Sequence, residues 1–363
     1  MPTAFIDLAA LRYNLAQLRQ LLRPGPAVMA MVKADAYGHG AGPVALALMR
    51  CGVTWFGVAT PTEALALRKA GVTGNILVLM PVYRDAAALL EQEIALTISD
   101  KRSLTALLEQ RRPGQRARVH LEVDTGMGRL GLPPEGAVRL AEQLARTPDV
   151  MLEGLFTHFA CADEPDRSFT DGQIARFQQA LSELKRRGLT VPLTHAANSA
   201  GVLAYPEAHF DLVRPGIALY GYHPSPLTKP LSPDLKPVMT LSAPVIFVKR
   251  IKAGQSISYG ATWRAPHDAT IATVRLGYAD GYPRALSNRA QVRLHGTLCP
   301  VVGRVCMDQL MVEVGALEVN IGDRVTLFGP EGPTAEELAQ LAGTIPYELL
   351  TRIGERVERS YAE

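Results

Sequence analysis

One lysine of this chain lies where a reactive amine would be expected, at the end of an apolar strand. Lys33 follows Met31 and Val32 and begins the segment KADAYGHG, residues 33–40. A lysine held against apolar walls loses part of its preference for the ammonium form. Its free amine can then form a Schiff base with a carbonyl group. The alternative from this context alone is a lysine whose ammonium group extends to solvent, and both interpretations stay open.

Other polar side chains also follow short apolar runs. A single histidine at a strand end is usually a structural residue with satisfied hydrogen bonds. In a parallel barrel, however, the carboxyl ends of all strands meet at one face, where catalytic groups gather. Ser199 with the amides of Gly216 and Ile217 would suit a phosphate bound by the last two strand–helix loops. The strand-end groups are Lys33, His158, His195, Asn198, Ser199 and Arg214.

Two glycine-rich segments look like nucleotide-binding loops, but neither meets the requirements for one. Residues 38–40 lack the third glycine, since Pro43 stands in its place. Residues 126–131 form a complete G-x-G-x-x-G, but two following prolines delay the next helix beyond the last glycine. The N-terminus of that helix therefore cannot face a pyrophosphate. We predict instead a tight turn that directs Arg129 back over the barrel mouth.

Strand-like and helical segments alternate over the first two thirds of the chain. Capping boxes mark two helix starts, one at Thr60 with Glu63 and a later one at Thr334 with Glu337. Eight strands with intervening helices over roughly 200 residues fit a parallel (β/α)8 barrel better than an open sheet. The predicted strands are residues 27–33, 55–58, 75–79, 95–98, 117–123, 151–157, 191–195 and 212–214.

The last third of the chain has the pattern of a twisted all-β domain. Short β-branched runs at residues 244–248, 270–274 and 324–328 are separated by frequent glycines. The proline-rich stretch 223–237 is the predicted linker. The sequence therefore predicts an α/β barrel domain over residues 1–230 and a C-terminal β-strand domain over residues 231–363.

Composition and charge argue against several classes of protein. The 363 residues are 47% hydrophobic and 20% charged, as in an ordinary globular protein. The 38 Lys and Arg residues exceed the 35 Asp and Glu residues by only three, without a basic block, which argues against nucleic-acid binding. Apolar runs such as 76–81 are too short to cross a bilayer. Residues 1–22 have the pattern of a strand and an amphipathic helix, which differs from that of a signal peptide.

The cysteines indicate a compartment. Cys51, Cys161, Cys299 and Cys306 show no paired spacing, which fits reduced thiols in the cytoplasm. No metal site is expected, because the spacing His158-x-x-Cys161 has no further ligands beside it. The expectation is a soluble cytoplasmic protein without a metal, a nucleic acid or a membrane as partner.

Eight short motifs in a fixed order make the sequence similar to one enzyme family, the alanine racemases. Each motif alone is weak, but the matching residues extend from Lys33 to Tyr347. The resemblance implies a pyridoxal 5'-phosphate enzyme with a barrel and a β-domain, which interconverts L-alanine and D-alanine and supplies D-alanine for peptidoglycan. The motifs are KADAYGHG (33–40), DTGMGR (124–129), THFA (157–160), HAANSA (195–200), RPG (214–216), SYG (258–260), GYADG (277–281) and GRVCMD (303–308).

The resemblance assigns the chemistry to two opposed bases. Lys33 would bind the cofactor covalently and act as one base, and Tyr259 would act as the other. Racemisation removes a proton from one face of Cα and returns one to the opposite face, so a group is needed on each side. Because a tyrosine hydroxyl with its ordinary pKa of about 10 is a weak base at neutral pH, the family places the equivalent of His158 beside it.

The resemblance also implies the cofactor contacts. Arg214 would face the pyridine nitrogen, where a permanent charge disfavours protonation of the ring and weakens the electron sink. His195 would orient Arg214, and Arg129 would contact the phenolic oxygen. The phosphate would be held by Tyr37, Ser199, Tyr347 and the amides of Gly216 and Ile217. The cofactor-binding set is then Lys33, Tyr37, Arg129, His158, Asn198, Ser199, Arg214, Gly216, Ile217 and Tyr347.

Substrate contacts would come from both domains. Arg129 and the amide of Met307 would meet the substrate carboxylate. Tyr278 and Tyr347 would narrow the entrance in favour of a methyl side chain. The family forms a homodimer in which the β-domain covers the partner's barrel, so a monomer would be inactive. The residues that would serve Lys33 of the other subunit are Tyr259, Tyr278, Met307 and Asp308.

One position departs from the family pattern. Many members carry a carbamylated lysine two residues before the DTGM segment, and here that residue is Glu122. Strand alternation places Glu122 on the same face as Asp124. The expectation is that the Glu122 carboxylate orients Arg129 directly. The alternative is that water or an anion fills the gap and Glu122 turns away.

Other functions fit these residues less well. A racemase of broader or different specificity would differ only in a few pocket residues. A decarboxylase on the same two-domain plan would present an acidic group to the pyridine nitrogen, where Arg214 stands. A non-catalytic cofactor-binding protein would resemble the barrel alone, without Tyr259 and Met307. A dehydrogenase would need a functional nucleotide loop at residues 126–131.

Overall fold

The computed structural model describes all 363 residues, which divide into two compact units. The barrel unit comprises residues 12–36 and 41–235, and the sheet unit comprises residues 1–11, 37–40 and 236–363. The carboxyl-terminal limit of the barrel unit lies within five residues of the predicted boundary. The first eleven residues group with the sheet unit because strand β1 (Thr3–Asp7) pairs with strands near the end of the chain.

The barrel unit contains eight parallel strands that close on themselves, as the sequence predicted. Most residues of these strands are buried, and the apolar runs in the sequence reflect burial on both faces. The first strand pairs with the eighth through Ala27 opposite Leu212 and Val28 opposite Val213. The barrel strands are β2 (Ala27–Met31), β3 (Trp55–Val58), β4 (Asn75–Val78), β5 (Ala95–Ile98), β6 (Ala117–Glu122), β7 (Val150–Phe156), β8 (Leu193–His195) and β9 (Leu212–Val213).

Helical segments lie before and between the barrel strands. Helix α7 shows why they pack there, since Ala137, Leu140, Ala141 and Leu144 form one buried apolar stripe at helical spacing. The capping box at Thr60 is present, with the Glu63 amide donating to Thr60 Oγ1. The segments are α1 (Leu8–Gln20), α2 (Lys33–Tyr37), α3 (Ala41–Arg50), α4 (Pro61–Lys69), α5 (Ala86–Glu91), α6 (Lys101–Gln110), α7 (Pro134–Arg146), α8 (Ser168–Arg186) and α9 (Ser199–Ala204).

The sheet unit is built on an eight-stranded sheet and a two-stranded hairpin. Its longest strand, β10 (Met239–Ile251), pairs with β1 and with two later strands, β13 (Ala269–Val274) and β17 (Arg324–Phe328), with one register shift in each of the last two pairings. The C-terminal domain predicted from the glycine-punctuated pattern is confirmed as mostly sheet. The other strands are β11 (Ser256–Ile257), β12 (Trp263–Arg264), β13 (Ala269–Val274), β14 (Gln291–Leu294), β15 (Thr297–Pro300), β16 (Leu310–Glu313), β17 (Arg324–Phe328) and β18 (Glu358–Ala362).

Two α-helices and several 3-10 turns complete the structure. Helix α10 (Ala335–Ala342) begins at the predicted capping box, and α11 (Pro346–Thr351) follows it. No helix combines the length and the apolar character that crossing a bilayer requires. The 3-10 turns are Pro206–Ala208, Ile217–Tyr220, Pro226–Leu231, Tyr259–Ala261, Tyr278–Asp280 and Arg284–Leu286.

Candidate active site

Lys33 lies directly after strand β2, at the carboxyl end of the barrel. Its side chain is half-buried. Burial lowers the pKa of its ammonium group, and the positive charges of Arg129 and Arg214 lower it further, whereas Glu63 opposes the shift. These effects increase the fraction of free amine at neutral pH, which is the form that a Schiff base or a proton acceptor requires.

The segment after Lys33 has an unusual backbone. The four residues from Ala34 to Tyr37 all have φ between 50° and 55°, the left-handed region, which costs roughly 1–2 kcal/mol per residue for L-amino acids. The Glu63 carboxylate stabilises this turn, because it accepts hydrogen bonds of 2.7 Å from the amides of Ala34 and Ala59. Glu63 therefore joins the turn that follows Lys33 to the end of strand β3.

Arg214 is the most completely bonded cation at this end of the barrel. It is only 3% exposed. Its Nη1 donates to His195 Nδ1 at 2.8 Å, and its Nη2 donates to the carbonyls of Thr157 and Ala196 at 2.8 and 2.9 Å. Burial lowers the pKa of Arg214 to about 10, so the guanidinium remains charged at neutral pH.

His158 completes this group of side chains. Its Nδ1 lies 3.2 Å from Arg214 Nη2 and accepts a hydrogen bond from it. Burial, reinforced by the positive charges of Arg214, Arg129 and Lys33, lowers the pKa of His158 well below its ordinary value. The imidazole is therefore neutral. Three cationic side chains that influence one another at one barrel end form an electrostatic environment that favours an anionic ligand.

Ser199 and its neighbours form the last two strand–helix loops. Ser199 Oγ accepts hydrogen bonds from the amides of Gly216 at 2.8 Å and Ala218 at 3.3 Å. Asn198 is the N-cap of helix α9, where its side chain accepts from the amide of Gly201 at 3.0 Å. The loops thus place a hydroxyl and backbone amides together, and Asn198 holds the start of the helix that carries the hydroxyl.

The segment 126–131 forms a tight turn. Asp124 Oδ1 accepts from the amides of Gly126 at 2.9 Å and Gly128 at 3.1 Å. At Gly131, a side chain would approach the Glu122 carbonyl to 2.9 Å, closer than Cβ atoms are found. The chain therefore turns back on itself, with Arg129 exposed on the turn.

The expected direct contact between Glu122 and Arg129 is not formed. The Glu122 carboxylate is buried and accepts a hydrogen bond from Ser99 Oγ at 3.2 Å, whereas Arg129 extends from an exposed turn. Burial raises the pKa of Glu122, although the hydrogen bond from Ser99 and the charges of Arg129 and Arg214 act in the opposite direction. Glu122 therefore influences the two arginines through its charge and holds neither of them by hydrogen bonding.

Tyr259, in the sheet unit, projects from a strained loop. Its side chain is 70% exposed. The preceding residue, Ser258, has φ 66° and ψ −176°, a conformation that is essentially reserved for glycine. Ser258 Oγ donates to the carbonyl of Arg304 at 2.7 Å, which attaches the loop to the segment before Met307. Strain of this kind is typical of functional sites.

Met307 lies on a second loop of the sheet unit and is 53% exposed. The amides of Tyr278 and Ala279 donate to the carbonyls of Cys306 and Met307, each at 3.0 Å. A side chain at Gly277 would overlap the backbone at Met307, so only glycine permits this approach. The sheet unit therefore brings Tyr278 and Met307 together.

Two further groups of predicted residues lie together in the sheet unit. Arg356 links the carboxylates of Asp280 and Asp308 at 3.2 and 2.7 Å. The rings of Tyr37 and Tyr347 lie 6.0 Å apart at an angle of 47°, and burial raises the pKa of the Tyr37 hydroxyl. Asp308 is thus fixed by an ion pair, and the two predicted phosphate-binding tyrosines are neighbours.

Comparison with known proteins matches this arrangement to one family over both units. The alanine racemase N-terminal domain matches residues 6–224, and the alanine racemase C-terminal domain matches residues 238–361. The chain belongs to the alanine racemase family. It is an isomerase that interconverts L-alanine and D-alanine.

Curated relatives and solved structures agree with this assignment. The alanine racemase of Symbiobacterium thermophilum is 48% identical, over 99% of this chain and 96% of that protein, and the one of Desulforamulus reducens is 45% identical over 99% and 98%. The structure of alanine racemase from Streptomyces coelicolor matches with a TM-score of 0.93 at 42% identity over 100% of this chain and 98% of that chain. The one from Bacillus anthracis with bound L-Ala-P matches with a TM-score of 0.94 at 38% identity over 100% and 95%.

Sequence reasoning missed three polar residues that lie at the candidate active site or behind it. Glu63 was recognised only as a helix cap, and His120 and Glu153 were not singled out. A signal was present for the last two, because a polar residue in the middle of a barrel strand occupies a position that usually carries a branched apolar side chain.

Proposed function

We propose that this alanine racemase acts with pyridoxal 5'-phosphate bound at Lys33, and with Lys33 and Tyr259 as bases on opposite faces of the substrate Cα. The observation that carries the proposal is the environment of Lys33, where burial and two guanidinium groups lower the pKa of the amine. A free amine at neutral pH can bind the aldehyde and can later accept a proton. Membership of the alanine racemase family, with relatives at 45–48% identity, supports the same assignment.

The donor groups of the barrel unit fit this cofactor. Lys33 offers an amine for the aldehyde, and the Ser199 hydroxyl, which accepts from the Gly216 amide and can donate its own proton, offers a hydrogen bond for a phosphate together with the loop amide of Ile217. The Gly216 amide could reach a phosphate only by exchanging its bond to Ser199. The charges of Arg129 and Arg214 suit the anionic oxygens of such a molecule. When bound, the cofactor supplies an electron sink that acidifies the substrate Cα proton. The roles of Tyr37 and Tyr347 toward the phosphate, and of Asn198 near the cofactor, remain predictions.

Arg214 and His158 have different tasks in this proposal. Arg214 presents a permanent positive charge to the pyridine nitrogen and, with a pKa of about 10 under burial, keeps its proton at neutral pH. His158 is neutral because its pKa is lowered, and since its Nδ1 accepts from Arg214, its proton lies on Nε2, where it can donate a hydrogen bond to the Tyr259 oxygen. Arg129 and the Met307 amide bind the substrate carboxylate.

We infer that the working enzyme is a homodimer. Tyr259 is 70% exposed and Met307 is 53% exposed, although both are proposed to contact substrate. Large exposed side chains on a strained loop are typical of a surface that a partner covers. In the proposed dimer, Lys33 of each subunit works with residues from the other copy, namely Tyr259, Tyr278, Met307 and Asp308.

The proposed role is to supply D-alanine for peptidoglycan in the cytoplasm. The four cysteines are free thiols, as expected for a protein in a reducing compartment. The small amino-acid substrate is the only partner proposed besides the second subunit. Tyr278 and Tyr347 are proposed to restrict the pocket to a methyl side chain, which distinguishes this enzyme from a racemase of broader specificity.

Proton NMR of the cofactor-loaded protein in D2O tests the two-base assignment. With wild type, the α-proton signal of either alanine enantiomer should disappear as the other enantiomer forms. Tyr259→Phe should lower the rate of racemisation by a factor of about 10²–10⁴. One enantiomer should still exchange its α-proton through Lys33. Tyr83→Phe, at another exposed tyrosine, is the control. Equal exchange of both enantiomers in Tyr259→Phe would contradict the proposal, and comparable turnover of serine would show broader specificity.

A further inference from the structure

A line of polar side chains crosses the interior of the barrel behind Arg214. His195 Nδ1 lies 2.8 Å from Arg214 Nη1, and His195 Nε2 lies 2.8 Å from His120 Nδ1. His120 Nε2 lies 3.3 Å from Glu153 Oε2. Both histidines are fully buried, in a region that barrels usually fill with branched apolar residues. A buried polar chain is tolerated only when each of its members is bonded, which is the case for all four imidazole nitrogens.

The chemistry of the two ends fixes the direction of every hydrogen bond. A guanidinium can only donate, so His195 Nδ1 must accept and the His195 proton must be on Nε2. His120 Nδ1 then accepts from His195, and the His120 proton is on Nε2. The carboxylate of Glu153 accepts from that position. The order is consistent only with neutral imidazoles, and burial lowers the pKa of both histidines.

Glu153 is itself held as a carboxylate. Arg118 Nε lies 3.1 Å from both carboxylate oxygens, and Arg118 Nη2 lies 2.9 Å from Oε1. Arg118 Nη2 also donates to Asn75 Oδ1 at 2.7 Å. Although burial raises the pKa of Glu153, hydrogen bonds from His120 and Arg118 lower it overall. Asn75 is the first residue of its strand and Arg118 is the second residue of its strand. The line of polar side chains therefore extends from Arg214 toward the amino-terminal ends of the strands.

Two backbone features allow this arrangement. Between strands β6 and β7, Val119 is opposite Leu152 and His120 is opposite Gly154, so Glu153 is an extra residue on β7. Such a bulge redirects a side chain that regular alternation would place elsewhere. At Gly154, any side chain would overlap the His120 ring. The bulge and the glycine are independent features, and each one serves the contact between His120 and Glu153.

Aromatic rings fix the planes of both imidazoles. Phe156 stacks on His195 with ring centroids 4.8 Å apart and planes 6° apart. Trp55 contacts His120 edge-on at 5.4 Å. Neither imidazole ring can rotate freely. Whether His195 can accept from Arg214 therefore depends on which nitrogen of each imidazole carries the proton.

We propose that His120 and Glu153 are positioning residues for Arg214. The Glu153 carboxylate holds the His120 proton on Nε2, which keeps the His195 proton on Nε2 and leaves His195 Nδ1 free to accept from Arg214. Without an acceptor at Glu153, only the Arg214 end still favours this order, and His120 can place its proton on Nδ1. That proton points at His195 Nε2, so the His195 proton must lie on Nδ1, where His195 can no longer accept from Arg214. The catalytic part of this inference rests on the proposed role of Arg214 toward the cofactor.

Imidazole ¹⁵N NMR of the full-length protein, with and without pyridoxal 5'-phosphate, tests the hydrogen-bond order. We expect protonated Nε2 and unprotonated Nδ1 in both His120 and His195 of the wild type. Glu153→Gln keeps an acceptor and should keep this pattern, whereas Glu153→Leu should give mixed tautomers at His195. A proton on His195 Nδ1 in the wild type, or an unchanged pattern in Glu153→Leu, would overturn the proposal.

Kinetics test the positioning role with a matched control. Glu153→Leu should lower kcat on the order of tenfold, as is usual when the partner of a site residue is lost, with KM within about twofold because Arg214 does not contact the substrate in the proposed site. Glu153→Gln should retain most of kcat. Arg111→Met removes a different ion pair, the one with Asp149 just before strand β7 at 3.0 Å, so it should lower the unfolding midpoint and leave kcat and the tautomers unchanged. An equal loss of kcat in Arg111→Met would show a merely structural role. Because the tautomers are read without cofactor, failure of the proposed cofactor chemistry is distinguishable from failure of this inference.

Discussion

The barrel end around Arg214 and the loop around Tyr259 place functional groups by opposite means. At the barrel end, Arg214 is buried and donates to His195, His158 and two carbonyl groups. In the sheet unit, Tyr259 is 70% exposed on a loop whose backbone at Ser258 has a conformation reserved for glycine. The first group is held by several buried hydrogen bonds, whereas the second lies on a strained backbone.

The difference indicates which region can work alone. A buried, hydrogen-bonded cluster keeps its geometry inside one copy of the chain. An exposed tyrosine on a strained loop gains a dry environment only when another surface covers it, and a proton acceptor is more effective when water is excluded. In the proposed dimer, the barrel end is therefore a preorganised half-site, and the Tyr259 loop is the half that assembly would complete.

Mixing two inactive variants gives the largest expected effect. Lys33→Ala and Tyr259→Phe should each lose activity by at least about 10²-fold. If each site combines Lys33 of one copy with Tyr259 of the other, a refolded equimolar mixture contains half heterodimers, each with one intact site. The mixture should recover about a quarter of wild-type activity. Activity assay of the mixture after refolding, against the two variants refolded separately, is the measurement.

No recovery in the mixture would mean that both bases come from one copy, and the proposed distinction between a preorganised half and an assembled half would fail. The control is a mixture of Lys33→Ala with Tyr83→Phe, whose heterodimers carry wild-type Tyr259 in both copies. It should show about half of the wild-type activity whether or not the subunits exchange, because every copy with an intact Lys33 meets a wild-type Tyr259. This activity therefore measures how much of the enzyme the refolding step recovers.

Changing Glu63 tests how far the barrel end depends on backbone strain. Glu63→Gln loses the charge and one of the two acceptor oxygens that bind the amides of Ala34 and Ala59. The unfolding free energy should fall by about 1–3 kcal/mol. Because Glu63 raises the pKa of Lys33, removing its charge lowers that pKa. Lys33 then stays neutral to lower pH, so the acid limb of the activity profile should move to lower pH.

Urea titration and a pH–rate profile measure these two effects. Glu109→Gln, at an exposed glutamate of helix α6, is the control and should change neither. An acid limb that moves to higher pH in Glu63→Gln would contradict the charge argument. An unchanged unfolding midpoint would show that the left-handed turn after Lys33 does not need the Glu63 hydrogen bonds.

The sequence predicted the regular parts of both regions well, because they follow local rules. Buried parallel strands read as apolar runs, and the helix starts at Thr60 and Thr334 followed from side-chain capping that involves only three residues of separation. Strand β1 pairs with β10 and β18, more than 200 residues away, and nothing local indicates that pairing. The sheet unit therefore includes residues that the sequence assigned to the barrel.

The residues of the candidate site could be predicted where family motifs include them. They could not be predicted where the backbone conformation or the strand register determines which residues meet. The left-handed turn from Ala34 to Tyr37 contains no glycine, so no residue type marks it. The bulge at Glu153 is a register effect between two strands and has no local sequence signature. The contact between Glu122 and Arg129 was predicted from the carbamylated lysine that many family members carry at this position. Strand alternation added only the face of the strand and could not give the partner, which is Ser99.

Glu122→Gln gives the smallest expected effect and tests whether charge or contact matters at the barrel end. Since Glu122 makes no hydrogen bond to Arg129, the KM for alanine should change by less than about threefold. Burial raises the pKa of Glu122 above its ordinary value of 4.5, so the ionised carboxylate destabilises the folded state. The neutral amide should raise the unfolding midpoint at neutral pH, and this gain should vanish below pH 4.5, where the carboxyl group is protonated in both states. Ser99→Ala, which removes the hydrogen-bond donor, should lower the midpoint instead. A tenfold rise in KM for Glu122→Gln would show that Glu122 orients Arg129 directly after all, through a contact made only when substrate binds.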